Sequence, residues 1–375
     1  MSKKKDKGKS SSDFSSEYFK SNKDDHYNFA KAAEEYLVSS GSMYMDHVLG
    51  GGFGAGLHRF IGANEGGKTN AALHVMFNML KSVNKAKGLF IKAEGRLSNE
   101  IKERSGLKFV YDPAEWVSGT CLVFECNVFD TVIDYLRGLL QNNSEDERFC
   151  IIIDSMDGMI AKDDLEKSTH EARKVAAGAL ITSDFLKRVS LGMSKFGHMC
   201  IMISQVRSAI KASQYTKSDP NNQTNSSGGN AILHYPDWIL EFKKKKQADL
   251  FLQDSNAILS LTNKPIGHIA TVQILKSTNE TTGQKVQYPI KYGRKNGRSI
   301  WVEKEVIDML LMWSYLQKRS SWITVDSALL EHCKTNKLDM PEKFQGTNKI
   351  LENLEENPKI KDILKEFVEK EIMEQ

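Results

Sequence analysis

Eight consecutive residues, Gly62-Ala63-Asn64-Glu65-Gly66-Gly67-Lys68-Thr69, constrain this chain more than any other stretch. They match the phosphate-binding pattern G-x-x-x-x-G-K-[ST] at every fixed position. In this pattern the glycines let backbone N–H groups surround a phosphate, the lysine reaches the β- and γ-phosphates, and the Ser/Thr hydroxyl binds Mg²⁺. The sequence therefore predicts a nucleoside triphosphate site formed by Gly62, Asn64, Glu65, Gly66, Gly67, Lys68, Thr69 and Asn70.

The flanking residues supply the strand–loop–helix setting in which this pattern binds phosphate. His58-Arg59-Phe60-Ile61 is predicted to be a short strand before the loop. After the loop, apolar residues recur at helical spacing from Ala71 to Val83, which predicts a helix whose N-terminus faces the anion. The alternative is a glycine-rich turn that binds nothing.

Apolar runs alternate with helical patterns along the chain, which predicts an α/β fold with a mostly parallel central sheet flanked by helices. The first five runs are short and apolar throughout, as in strands that helices cover on both faces. The later runs are joined by short polar links and predict an antiparallel extension. The eight predicted strands are 59–62, 88–93, 121–125, 149–154, 199–204, 238–242, 270–275 and 288–292.

Composition limits the class of protein and its compartment. The 375 residues are 40% hydrophobic and 27% charged, and a net charge of +4 is too small to indicate nucleic-acid binding without local clustering. No run reaches the roughly 18 apolar residues of a membrane helix, and the Lys- and Ser-rich start lacks the apolar segment of a secretory signal. The five cysteines lack paired metal-type spacing and favour reduced, structural thiols. We therefore expect a cytoplasmic protein with no membrane partner.

Changes of pattern divide the chain into four segments. Residues 1–24 are predicted to be a disordered basic tail. Residues 25–40 are predicted to form an oligomerisation helix, amphipathic over 27–38, that docks on its own domain or on a neighbouring subunit. Residues 41–295 carry the α/β core. Residues 296–375 are predicted to be a small helical or α+β domain with a mildly acidic end, whose role the sequence leaves open.

Three polar residues at the ends of predicted strands are candidates for chemistry on a triphosphate. Hydrolysis needs a carboxylate near Mg²⁺ and a base that orients the attacking water. Asp154 ends one apolar strand and is assigned, with Thr69, to Mg²⁺. Glu94 follows a strand expected to lie beside the phosphate-loop strand, which places its carboxylate near the γ-phosphate. Gln205 joins a strand to a long polar loop and would sense the phosphate; each of the three also fits a plain strand-end or capping residue.

An ordered series of motifs resembles the RecA family of recombinases. The likeness extends over about residues 25–295, and the Glu94-Gly95 pair and the stretch from Asn296-Gly297 to Trp301 are closest in style to the phage UvsX recombinases. The motifs are Ser40-Gly41-Ser42, the phosphate loop, Phe90-Ile91-Lys92-Ala93-Glu94, Ile153-Asp154-Ser155, Ser204-Gln205-Val206-Arg207, Gly228-Gly229-Asn230-Ala231 and Ile274-Leu275-Lys276.

The resemblance implies a RecA-like ATPase core, a head-to-tail helical filament, and ATP with Mg²⁺ bound between adjacent subunits. Lys68 would hold the phosphates, and Glu94 would be the base that orients water. Gln205 would couple the nucleotide state to a DNA-contacting loop. Lys276 would reach across the interface to the γ-phosphate of the neighbouring subunit.

Three positions depart from the family pattern. Thr278 stands where a second basic residue often follows Lys276, and Lys92 stands where bacterial members have an acid. Ile101 aligns with the aromatic residue that stacks on adenine in bacterial members. These departures leave the hydrolysis rate and the preference between ATP and dATP open.

The long polar segment 207–230 is the candidate DNA site. Its basic and aromatic side chains offer phosphate contacts and one stacking ring. A second segment, 162–174, corresponds to the family's first DNA loop, although a solvated helix face fits its mixed charges as well. The candidate DNA-binding residues are Arg207, Lys211, Tyr215, Lys217, Gly228, Gly229, Asn230, Arg173 and Lys174.

The sequence thus predicts an ATP-dependent recombinase that polymerises on single-stranded DNA and pairs it with homologous duplex DNA in recombination and repair. Mediator proteins and single-stranded-DNA-binding proteins are further expected partners, and the compartment would be the host cytoplasm if the chain is phage-encoded. Two rivals stay open. One is a ring-forming RecA-fold helicase or translocase, and the other is a non-catalytic paralogue that loads or caps another recombinase.

Overall fold

The structure is a computed structural model that describes residues 10–23, 31–95, 97–143, 146–165, 176–205, 207–208, 224–225, 231–254 and 257–373. The chain divides into two compact units, Met1–Glu34 and Glu35–Gln375. The first unit contains one described helix, and the second contains the sheets and the other helices. None of the helices in these ranges is long and apolar enough to cross a membrane.

Strands and helices alternate through the first two thirds of the second unit. The α-helices described are α1 (Ser11–Ser21), α2 (Met43–Leu49), α3 (Lys68–Ser82), α4 (Asn99–Ser105), α5 (Phe129–Gln141), α6 (Lys162–Leu165), α7 (Ala176–Lys195), α8 (Ala231–His234), α9 (Val302–Met312), α10 (Ser327–Thr335), α11 (Gly346–Glu356) and α12 (Pro358–Val368). The strands described are β1 (Gly56–Gly62), β2 (Ala86–Lys92), β3 (Lys108–Val110), β4 (Thr120–Glu125), β5 (Arg148–Asp154), β6 (Met199–Gln205), β7 (Arg207–Ser208), β8 (Thr224–Asn225), β9 (Trp238–Phe242), β10 (Leu250–Leu252), β11 (Pro265–Lys276), β12 (Lys285–Lys291), β13 (Leu316–Arg319), β14 (Trp322–Val325) and β15 (Lys343–Gln345).

Ten of these strands form one large sheet, in the order β10-β11-β9-β1-β6-β5-β2-β4-β3, with β12 also paired to β11. From β9 to β3 every neighbouring pair is parallel, whereas β11 pairs antiparallel with β9, β10 and β12. The predicted α/β fold and all eight predicted strands are confirmed. The antiparallel extension begins one strand later than predicted, because β9 hydrogen-bonds in parallel to β1.

Hydrophobic clusters cover both faces of the parallel strands. Phe60 and Ile152 pack with Met76 of α3 on one face, and Leu57 and Ile151 belong to the cluster on the other face, with side chains of α5 and α7. All seven residues of β1 are buried as a result. This layering brings the carboxyl ends of the parallel strands to one edge, where ligands of open α/β sheets bind.

A third hydrophobic cluster lies in the C-terminal part of the chain. There α9 to α12 surround a three-stranded antiparallel sheet of order β13-β14-β15. The wholly buried Glu305 of α9 accepts hydrogen bonds from Ser42 Oγ at 2.5 Å and from the backbone N–H of Met43 at 3.0 Å. These bonds connect α9 to the start of α2. That residues 296–375 form a domain of their own stays a prediction.

The N-terminal region differs from both of its predictions. Residues 11–21 of the predicted disordered tail form α1, because Ser10 Oγ accepts the Asp13 N–H at 3.1 Å and donates to the Asp13 carboxylate at 2.7 Å, which caps the helix locally. The predicted helix 27–38 is not present over residues 31–38. There Val38 exchanges two backbone hydrogen bonds of 2.8 Å with Phe53, and this buried pairing replaces the helical hydrogen bonds. Residues 27–30 lie outside the described ranges.

Candidate functional site

The phosphate loop connects β1 to α3 at the carboxyl edge of the parallel sheet. Gly62 ends β1 with a φ of 145°, and Gly67 precedes α3 with a φ of 96°, backbone conformations that favour glycine. A Cβ atom on Gly62 would lie 2.2 Å from the carbonyl oxygen of Phe242, the last residue of β9. Glycine at this position is therefore required by the close approach of a neighbouring strand as well as by the turn.

Lys68 places its ammonium group inside the loop. Its Nζ donates to the carbonyl oxygens of Gly62 at 2.9 Å and of the following residue at 2.8 Å. Burial lowers the pKa of Lys68, and the carboxylates of Asp154, Asp157 and Glu94 oppose that shift. The three carboxylates thus favour the charged form, which is the form that binds a phosphate.

Thr69 and Asp154 place two oxygens side by side at the mouth of the loop. Thr69 Oγ1 donates to Asp154 Oδ2 at 2.8 Å, which joins the start of α3 to the end of β5. Burial raises the pKa of Asp154; the Thr69 hydrogen bond and the charge of Lys68 oppose this, and the charge of Glu94 adds to it. One hydroxyl and one carboxylate match the few protein oxygens that Mg²⁺ takes beside phosphates. Within the described residues, no group of three or more His, Cys, Asp or Glu side chains is arranged for a metal ion.

Glu94 reaches the site from farther along the sheet than predicted. Strand β2 pairs with β4 and β5, and β5 and β6 separate it from β1, so the prediction that it adjoins the phosphate-loop strand is wrong. The carboxylate nevertheless lies beside Gln205, another of the three candidates for chemistry on the triphosphate. Ser155 Oγ and Gln205 Nε2 both donate to Glu94 Oε1, the latter at 3.1 Å, and the N–H groups of Ala93 and Glu94 donate to the carbonyl oxygen of Asp154 at 2.9 and 3.3 Å.

Three residues of this cluster were not predicted from the sequence. Ser155 holds the Glu94 carboxylate, and Asp157 Oδ2 accepts the backbone N–H of Gln205 at 2.6 Å. Both lie within three residues after Asp154, the end of β5, and that position was a usable signal. The third is Arg59, whose signal was a charged residue inside an otherwise apolar strand.

A cavity of about 520 Å³ adjoins the phosphate loop. Glu65, Gly66, Gly67, Asn70 and Ala71 line its loop side, and Arg104, Lys245, His268 and Tyr292 contribute to the remainder. Ile101, which aligns with the adenine-stacking aromatic of bacterial members, packs against the hydrophobic core, and Arg104 of the same helix lines the cavity. The cavity extends the phosphate site by a volume suited to the nucleoside part of a triphosphate.

Most candidate DNA-binding residues fall on parts of the chain that the structure does not describe. Arg207 begins β7, which pairs antiparallel with β8, and the side chains of these two strands are not described. Lys276 ends β11, and its Nζ donates to the carbonyl oxygen of His234 at 2.5 Å. The residues outside the described ranges are Lys211, Tyr215, Lys217, Gly228, Gly229, Asn230, Arg173 and Lys174.

The fold and the glycine-rich loop place the chain in the phosphate-loop class of α/β proteins. Residues 28–295 match the family described as RecA N-terminal domain. The chain therefore belongs to the RecA family.

Known relatives share this family at low identity. Protein RecA of Porphyromonas gingivalis is 24% identical over 292 residues, which cover 77% of this chain and 75% of that protein. Protein RecA of Zymomonas mobilis is 23% identical over 320 residues, covering 84% and 80%. Protein RecA of Mesoplasma florum is 24% identical over 350 residues, covering 92% and 90%. The likeness to phage UvsX recombinases stays a prediction.

Proposed function

We propose that the chain is an ATP-dependent DNA recombinase of the phage UvsX style. It polymerises as a helical filament on single-stranded DNA, hydrolyses ATP in response to that DNA, and exchanges the strand with homologous duplex DNA. The observation that carries this proposal is the 3.1 Å hydrogen bond from Gln205 to Glu94. It links the phosphate end of the site to Gln205, which lies two positions before the start of the candidate DNA segment 207–230.

The loop and its cavity together fit ATP. Lys68 binds the β- and γ-phosphates, and the backbone N–H groups from Gly66 onward surround them. The base and ribose lie in the adjoining cavity of about 520 Å³. Thr69 and Asp154 hold Mg²⁺, whose chemistry is to neutralise charge on the phosphate oxygens.

Glu94 is the base that orients and deprotonates the attacking water. Its Oε1 accepts the hydrogen bonds from Ser155 and Gln205, which fix the plane of the carboxylate. The second oxygen, Oε2, is then the one directed to water. A change in the position of Gln205, when DNA binds the following segment, moves this carboxylate and so adjusts the rate of hydrolysis.

Filament assembly completes the site in this proposal. Lys276 of one subunit contacts the γ-phosphate held by its neighbour, which requires it to leave its bond to His234. The N-terminal unit, with the exposed aromatic residues Phe14 and Tyr18 on α1, docks on a neighbouring subunit. Weak DNA contacts repeated along the polymer give the avidity that a single subunit lacks.

A paired assay of ATP hydrolysis and strand exchange tests the proposal. Single-stranded DNA is expected to raise ATP hydrolysis by about tenfold or more, and joint molecules form with homologous duplex. Lys68→Ala abolishes both activities, whereas Lys81→Ala, an exposed lysine in the last turn of the same helix, retains both.

Three outcomes contradict the proposal. ATP binding without DNA-stimulated hydrolysis would favour the non-catalytic paralogue. Duplex unwinding without strand exchange would favour the helicase. Full activity of the Lys68→Ala variant would refute the assignment of the site.

A further inference from the structure

Arg59 is a charged residue in the middle of a buried, apolar strand. Only 1% of its surface is exposed, and it lies on the same face of β1 as Leu57, toward the hydrophobic cluster of α5 and α7. A buried charge is costly unless it is paired. Its Nη2 atom has no hydrogen-bond partner among the described residues, so hydrophobic packing does not account for an arginine at this position.

Two polar groups contact or face this guanidinium. Arg59 Nε donates to Ser204 Oγ at 3.3 Å. Burial lowers the pKa of Arg59 to about 10, and the carboxylate of Asp157 opposes that shift. Asp157 is therefore the negative charge that favours the ionised guanidinium.

These two groups lie on either side of the Gln205 peptide. Ser204 precedes Gln205 in β6, and Asp157 Oδ2 accepts the Gln205 N–H at 2.6 Å. In the register of β1 and β6, Gln205 lies opposite Gly62, the first residue of the phosphate loop. Arg59 thus donates to the residue that precedes Gln205, and its charge is favoured by the carboxylate that accepts the Gln205 N–H.

We propose that Arg59 is a positioning residue that acts through Ser204 and Asp157 to hold Gln205 in reach of Glu94. This role rests on the proposed ATPase function and adds a connection that the family motifs do not contain. Arg59 is not among the residues assigned to the phosphates or Mg²⁺, so its removal is expected to disturb the catalytic step and to leave the binding of ATP intact.

Variants of the full chain separate these two effects. Arg59→Met removes the charge and the Nε–H donor and keeps an unbranched apolar side chain. Asp157→Asn removes the opposing charge and keeps an acceptor for the Gln205 N–H. The matched control is Glu305→Gln, the same carboxylate-to-amide change at a buried position of α9. For each variant and the double variant, kcat is measured at saturating single-stranded DNA, the affinity is measured with a fluorescent ATP analogue, and thermal unfolding is recorded.

Each single variant is expected to lower kcat by about tenfold or more while the affinity for the ATP analogue changes by less than about twofold. Because both act through one connection, the double variant loses no more than the worse single variant. Glu305→Gln keeps the wild-type kcat. If Arg59→Met does not fold, Asp157→Asn carries the test alone, since it preserves side-chain volume.

The inference is refuted if the wild-type chain is an active DNA-stimulated ATPase and both single variants keep its kcat. Equal losses in affinity and kcat, or losses that multiply in the double variant, also refute it. A wild-type chain that neither binds nor hydrolyses ATP refutes the proposed function itself, so the two failures are distinguishable.

Discussion

Gln205 Nε2 lies 3.1 Å from Glu94 Oε1, although 111 positions separate the two residues in the chain. The same carboxylate oxygen accepts the hydroxyl of Ser155. The cluster therefore lies at the carboxyl ends of three parallel strands. Glu94 is two residues beyond β2, Ser155 directly follows β5, and Gln205 ends β6. With Glu94 as the proposed base, this geometry connects ATP hydrolysis to the segment that follows Gln205.

Replacement of Glu94 by Gln is expected to lower DNA-stimulated ATP hydrolysis by about 10²- to 10⁴-fold, the usual contribution of a general base. ATP binding is retained because the amide has the same size. The matched control is Glu125→Gln at the end of β4, an exposed carboxylate that pairs with Lys92 at 2.6 Å and should change little. Hydrolysis at the wild-type rate in the Glu94→Gln variant would contradict the role of Glu94.

Replacement of Gln205 by Ala is expected to reduce the ratio of DNA-stimulated to basal hydrolysis more than it reduces the basal rate itself. The amide that links the following segment to Glu94 is lost, while Ser155 still holds the carboxylate. Steady-state rates with and without single-stranded DNA give this ratio. An unchanged ratio would show that DNA does not stimulate hydrolysis through Gln205.

Replacement of Thr69 by Val should raise the Mg²⁺ concentration needed for half-maximal hydrolysis by about tenfold. The hydroxyl beside Asp154 is removed, and the shape of the side chain is kept. Thr69→Ser retains the hydroxyl and should need close to the wild-type concentration. A Mg²⁺ titration at saturating ATP makes the comparison, and equal curves for Thr69→Val and Thr69→Ser would argue against this metal position.

The buried carboxyl of Glu305 is expected to make the stability of the fold depend on pH. Burial raises the pKa of its carboxyl to about 8; the hydrogen bonds from Ser42 and Met43 oppose this, and the charges of Asp46 and Asp308 add to it. The folded state thus binds the proton more tightly than the unfolded chain does. The stability that Glu305 contributes is fully present below pH 4.5, the pKa of its carboxyl in the unfolded chain, and it is lost as the pH rises through about 8.

The measurement is thermal unfolding across that pH window. Relative to Glu305→Gln, the wild-type chain should lose stability steadily as the pH rises from about 5 to about 8. The control is Glu352→Gln, an exposed carboxylate on α11 whose removal leaves the pH profile unchanged. Parallel profiles for wild type and Glu305→Gln would contradict the raised pKa.

The sequence was sufficient for the features that depend on local pattern. Apolar runs predicted all eight of these strands. The first five runs are continuous, because parallel strands buried on both faces carry no polar alternation. The glycine-rich loop predicted the turn at Gly62 and the start of α3. The order of the strands was harder to predict, because parallel pairing joins segments that are far apart in the chain. Strand β2 was predicted to lie next to β1, although β5 and β6 lie between them.

The errors and omissions have tertiary causes. Val38 lies in a helix-like pattern, yet its pairing with Phe53 decides its conformation. The roles of Asp157 and Arg59 depend on which strands meet around Gln205, which no local pattern encodes. Conversely, the tail was predicted to be disordered from its composition, and the Ser10–Asp13 cap forms α1 there.

Electron microscopy of the chain with single-stranded DNA and a slowly hydrolysed ATP analogue distinguishes helical filaments from other assemblies. Continuous helical filaments are expected along the DNA; they form only with nucleotide and are lost in the Lys68→Ala variant. Discrete hexameric rings, or the same particles with and without nucleotide, would contradict this expectation.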